Sequence, residues 1–164
     1  MKKVVSFFAV FFAAGLICAA DAPAASGTPT ELIGKKHTWY RLAKSGKMRR
    51  LPDGSILLTL ATPESPWGDM GYAEKITVNP GEKLKITMKA KGVGRLEYGI
   101  RLNKSGNILT SAPLTGEVKE YTAVFDFAKF QKDLPQEGML KVILQGGAED
   151  VKAEISSFTY TLTK

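Results

Sequence analysis

An all-β domain is predicted by three features of the amino-acid sequence. Apolar residues recur at every second position through most of the chain beyond Lys36, and turn signals rich in Gly, Pro and Asn separate these runs. No long segment carries the 3.6-residue period of an amphipathic helix. Short strands at this spacing, about eight to ten of them, close as a sandwich or a barrel.

The clearest strand covers residues 83–91. Leu84, Ile86, Met88 and Ala90 fall on one side, and every alternate position is Lys or Thr. A helix would scatter those lysines around its axis, whereas a strand puts them all in water. Leu96, Tyr98, Ile100 and Leu102 repeat the pattern against Glu97, Gly99 and Arg101. So do Tyr121, Ala123, Phe125 and Phe127, then Leu140, Val142 and Leu144, and earlier Ile56, Leu58 and Leu60. The last strand changes phase: Val151, Ala153 and Ile155 are odd, Phe158, Tyr160 and Leu162 even. One extra residue near Ser156-Ser157 restores the inward side, which predicts a β-bulge there. Trp39 and Tyr40 are adjacent, so one is core and the other exposed.

The turn residues have mechanisms of their own. Asn79-Pro80-Gly81-Glu82 puts Pro where φ is near −65° and Gly where φ is positive, a type II turn. Pro52-Asp53-Gly54 suits a tight turn, and Ser45-Gly46 and Ser105-Gly106-Asn107 mark two further hairpins. Phe127, Phe130 and Leu134 share a face of one helical turn in a longer crossover before Pro135.

The N-terminus reads differently. Met1-Lys2-Lys3 precedes an apolar run over 4–17 and a group of alanines, the make-up of a secretory signal peptide cut after Ala20. The run is too short for a transmembrane helix, which needs about 20 residues. Lipidation at Cys18 is the rival, disfavoured by Ile17 just before it. Residues 1–20 are thus a signal peptide, 21–34 a flexible leader, and 35–164 a single β-sandwich domain in a secreted or periplasmic protein. Cys18 is the only cysteine, so the domain is held by burial alone. The net charge of +7 becomes +5 once Lys2 and Lys3 are removed. This favours polyanionic partners, and export argues against nucleic acid.

Catalysis finds little support. The mature domain would have no cysteine, which excludes Cys–His chemistry, and His37 is the one histidine, so a Ser–His–acid site would need that residue; a zinc site lacks ligands. Glu64, Asp69 and Glu74 are the loose acidic group nearest a Trp, and read as solvated loop charges. The expectation is a non-catalytic protein with no metal and no cofactor.

Residues 67–162 carry an ordered set of features: Trp67-Gly68 and Tyr72, the Asn79-Pro80-Gly81 turn, and the basic strand ending Lys89-Ala90-Lys91-Gly92. Lys119-Glu120 then leads into Tyr121, and the strands at 140–144 and 151–162 follow. In this order the chain resembles the jelly-roll carbohydrate-binding modules of families four, nine and twenty-two, a galactose-binding-like β-sandwich. Where those families often place an aspartate that helps to bind calcium, this chain has Ile155-Ser156. The resemblance implies an antiparallel jelly roll of two sheets, with a glycan, acidic ones among the candidates, on the outer concave face of one. The strands of Tyr72, Arg95, Ile108 and Leu140 would share that sheet. Trp67 and Tyr72 would stack on sugar rings at one end, and Glu97, Arg101 and Gln145 would bond hydroxyls, with Gly99 leaving room between the charged pair. The alternative is a structural or adhesion module contacting envelope or protein partners.

Overall fold

A computed structural model describes residues 27–34, 39–146 and 150–164. The expected signal peptide, residues 21–26 of the expected leader and His37 lie outside these residues. Among the described residues, twelve strands form two antiparallel sheets. Sheet A runs β10 (Lys119–Asp126), β7 (Lys83–Val93), β12 (Lys152–Thr163), β4 (Ile56–Leu60), β3 (Gly46–Arg50), with β1 (Thr30–Glu31) pairing β12. Sheet B runs β2 (Trp39–Arg41), β5 (Trp67–Tyr72), β11 (Gln136–Gln145), β8 (Arg95–Leu102), β9 (Gly106–Pro113), with β6 (Ile76–Val78) pairing β11. The strands of Tyr72, Arg95, Ile108 and Leu140 share sheet B, as the resemblance implies.

The two-residue rhythm produces the core directly. Leu84, Ile86, Met88 and Ala90 of β7 are fully buried against Leu96, Tyr98 and Ile100 of β8 and Leu140, Val142 and Leu144 of β11. Trp39 is the buried member of its pair and Tyr40 the exposed one. The Trp39 ring lies 5.5 Å from Tyr72 and 5.1 Å, edge-on, from Phe158, and its indole N–H donates to the Leu32 carbonyl at 3.2 Å. A buried indole needs such an acceptor.

The register of β12 against β7 shifts between Ile155 and Ser157, where the phase change placed a bulge. The Asn79 carbonyl accepts from the Glu82 N–H at 3.2 Å, with Gly81 at φ 81°. Gly54 and Gly106 take positive φ in the hairpins β3–β4 and β8–β9. A 3₁₀ helix at Ala128–Asp133 crosses between the sheets, with Phe127 buried and Phe130 and Leu134 packed on the core.

Two expectations need correction. Ser45-Gly46 is not a hairpin, because β2 belongs to sheet B and β3 to sheet A, so the chain changes layers there. The leader also ends sooner than residue 34. Thr30 and Glu31 pair with β12, and Leu32 is fully buried. Composition read these residues as a linker because their bonding partners lie more than a hundred positions away.

Candidate functional site

Register fixes what the outward face of sheet B carries. One row runs Trp67, Gln145, Arg95, Pro113 across β5, β11, β8 and β9, and the next runs Asp69, Ile143, Glu97, Ser111. The third is Tyr40, Gly71, Lys141, Gly99, Leu109, and the last Met139, Arg101, Asn107. Four of the five expected ligand-binding residues, Trp67, Glu97, Arg101 and Gln145, therefore share one face.

Tyr72 does not. It follows Met70 inward, is 2% exposed, and packs at a tilt against Trp39. Burial, with the Glu74 carboxylate that accepts its O–H at 3.3 Å, pushes its phenol up to about 12. The β5 alternation would have placed it: with Trp67 outward, residue 72 must be inward. The aromatic partner on the face is instead Tyr40, 42% exposed, its hydroxyl 3.0 Å from the Met139 sulfur.

Exposure falls from rim to centre. Trp67 is 45% exposed and Arg95 and Arg101 lie in solvent, whereas Asp69, Lys141 and Ile143 in the middle are buried. We call this face, with its enclosed centre and exposed flanks, the trough. On its β8–β9 side a shallow depression of about 370 Å³ is lined by Glu97, Asn107, Leu109, Thr110 and Ser111. Gly99, expected to leave room between Glu97 and Arg101, is demanded by β9 and the core. A Cβ there would stand 2.2 Å from the Ile108 carbonyl oxygen and 3.1 Å from the Phe125 ring.

The sequence reading missed the centre. Asp69 is a strand residue, not a solvated loop charge. Lys141 Nζ lies 3.0 Å from its Oδ2, while Oδ1 is buried with no hydrogen-bond partner among the described residues. A charged pair on a sheet's outward side is ordinarily solvated, and this one is enclosed. Its signal in the sequence was the lysine at 141, in phase with Gln145 and set in the otherwise apolar run 138–144. Glu97 and Arg101 form no ion pair with each other; the described ion pairs lie elsewhere. Arg95 donates to the Ser111 hydroxyl at 2.7 Å.

Among the described residues no group of three His, Cys, Asp or Glu side chains gathers as a metal site, and no helix is long and apolar enough to cross a membrane. A second recess, about 250 Å³, lies where β4 ends and β12 begins, lined by Thr59, Pro63 and Asp150 among others, with no aromatic ring.

No protein-family model matches the chain, and no curated protein matches it. Solved structures do match. The xylan-binding module CBM15 is 15% identical with a TM-score of 0.60, covering 84% of this chain and 98% of its own. A carbohydrate-binding module designated CBM4 is 14% identical, TM-score 0.56, covering 82% and 95%. A family 29 carbohydrate-binding module from Piromyces equi is 14% identical, TM-score 0.55, covering 82% and 91%. At such identities the likeness speaks of architecture. The chain has the two-sheet β-sandwich fold of these carbohydrate-binding modules.

Proposed function

We propose that this protein is a non-catalytic glycan-binding domain, exported by the signal-like segment over 4–17, and that the trough on sheet B takes the glycan. The observation that carries the reading is the trough itself: an exposed indole on its rim and polar side chains enclosed at its centre. Sugar rings present C–H faces that stack on Trp67 and Tyr40, and hydroxyls that bond Glu97, Arg101 and Gln145. Asp69 and Lys141 hold the floor in a fixed geometry. The fold is shared with modules named for binding carbohydrate, one of them xylan.

Trp fluorescence tests this directly, because Trp39 is buried in the core and Trp67 is half-exposed on the trough rim. Titration with xylan, a mixed-linkage glucan and a polyuronate should shift the emission for at least one. Trp67→Ala should weaken that binding by about tenfold or more, as loss of a buried aromatic anchor does. Silence across the panel at low salt defeats the reading. N-terminal sequencing of the secreted protein tests cleavage after Ala20.

A further inference from the structure

We infer that the lateral edge formed by β2 and β3 is a second binding surface, specific for a polyanionic polysaccharide and independent of the trough. Of the 23 Lys and Arg residues, two precede residue 4 and five lie within 41–50, leaving 16 to balance the 16 Asp and Glu. The whole positive excess of the domain therefore sits in ten residues: Arg41, Lys44, Lys47, Arg49 and Arg50, with no acid among them.

The fold keeps them together. β2 ends sheet B and β3 ends sheet A, and the chain passes from one to the other through residues 42–45, so the segment lines one side of the sandwich. All five side chains are exposed. Lys47 shares a row with Thr59 and Lys152, which adds a sixth cation. None of Arg41, Lys44, Lys47, Arg49 or Lys152 takes part in a described ion pair. The lysines of β7 differ: Lys83, Lys89 and Lys91 face Asp126, Glu120 and Glu154.

Charge on an edge strand also guards against edge-to-edge pairing. That need does not explain this distribution, because the opposite edge manages without it. β9 has no charged residue, and the charges of β10 are mixed in sign. A field of one sign confined to one edge attracts a partner of the other sign. The segment's apolar residues, Leu42 and Met48, are partly covered, so nothing here is built to enter a lipid bilayer. A hydrated polyanionic chain lying along the edge fits.

The test uses the full purified protein with heparin as the sulfated chain and dextran as the neutral one. Wild type should bind heparin at low salt, not dextran, and weaken steeply as salt rises through counterion release. Lys47→Gln/Arg49→Gln should lose roughly tenfold in affinity and flatten the salt slope by roughly one to two. Lys129→Gln/Lys132→Gln, which removes equal charge elsewhere, should lose far less. Trp67→Ala should leave heparin binding intact, so failure of the trough reading and failure of this one are separable. Equal losses in both lysine-bearing double variants overturn the proposal. So does binding only to phosphatidylserine vesicles or only to single-stranded DNA.

Discussion

Lys141 Nζ lies 3.0 Å from Asp69 Oδ2 on the outward side of sheet B, with the two side chains 11% and 6% exposed. Desolvating two charges costs several kcal/mol each, recovered only while both are present. Removing the cation alone, as in Lys141→Met, strands a buried carboxylate that already has one unbonded oxygen. We expect a loss of about 3–5 kcal/mol in denaturant unfolding. Asp69→Leu/Lys141→Met should recover most of it, and its loss should fall well short of the sum of the single changes. Additive losses would mean the two groups do not interact.

Glu31 fastens the first strand to the bulge. One carboxylate oxygen accepts from the backbone N–H groups of Leu32, Ile33 and Phe158, and the other from the Ser157 hydroxyl. The Phe158 backbone faces β1, where its carbonyl accepts from the Leu32 N–H, and its own N–H is satisfied by a carboxylate 127 positions earlier. Glu31→Ala should cost about 1.5–3 kcal/mol, the range for hydrogen bonds to a charged group. Leu32→Ala, which empties a fully buried site, should cost about 2–5 kcal/mol. A protein beginning at residue 35 should unfold at distinctly lower denaturant than one beginning at residue 27. Equal midpoints would return 27–34 to the status of a linker.

Gly46 and Gly68 let the two sheets meet at the β2–β3 side. A Cβ on Gly46 would stand 2.7 Å from the Gly68 Cα, and one on Gly68 would stand 3.0 Å from the Gly46 Cα and the Thr59 carbonyl oxygen. These obstacles are backbone, which cannot swing aside. Gly46→Ala or Gly68→Ala should therefore destabilise by about 1–3 kcal/mol, although alanine adds one methyl and removes unfolded-state entropy. Gly81→Ala meets nothing within 4 Å and would be penalised through its φ of 81° alone.

The architecture was legible because alternation is a local property: each strand announces its inward side without knowing its neighbours. The bulge was legible for the same reason. What stayed hidden depends on partners distant in sequence. Thr30 to Leu32 look like linker until β12 is beside them, and Ser45-Gly46 looks like any hairpin until β2 and β3 are assigned to different layers. The site divides in the same way. Glu97, Arg101 and Gln145 follow from strand parity, and Tyr72 was misplaced only where parity was not applied to β5. Asp69 needed Lys141, diagonal to it on a strand 72 residues later, and no spacing rule joins them.

Acid should weaken the fold through Asp53 and Asp126. The Ser55 hydroxyl and N–H donate to Asp53 at 2.6 and 3.0 Å, and hold its carboxyl below the ordinary 3.8. The Ala128 N–H, then Lys83, do the same for Asp126. A carboxyl lowered in the folded state stabilises at pH above its unfolded pKa, and that gain fades as pH falls through the folded one. Thermal midpoints of wild type should drop between about pH 4 and pH 2, and the Asp53→Asn/Asp126→Asn variant should drop less. Parallel curves would deny these carboxylates any part in acid stability.

At the alkaline end the decisive group is Tyr72. Its folded pKa near 12 stands above the ordinary 10.0, so the folded state holds the phenolic proton more tightly than the unfolded chain. The sign is opposite to that of the carboxylates: the contribution is whole below pH 10 and disappears as pH climbs toward 12. Two pKa units correspond to roughly 2–3 kcal/mol. Tyr98, raised by burial as well, adds in the same direction. Tyr72→Phe gives up the bond to Glu74, about 1 kcal/mol at neutral pH, but has no proton to lose. Its stability should therefore meet that of wild type between about pH 10 and pH 11, and exceed it by roughly 1 kcal/mol at pH 12. A constant gap across that range, measured by denaturant unfolding, would place the Tyr72 phenol in water rather than against Trp39.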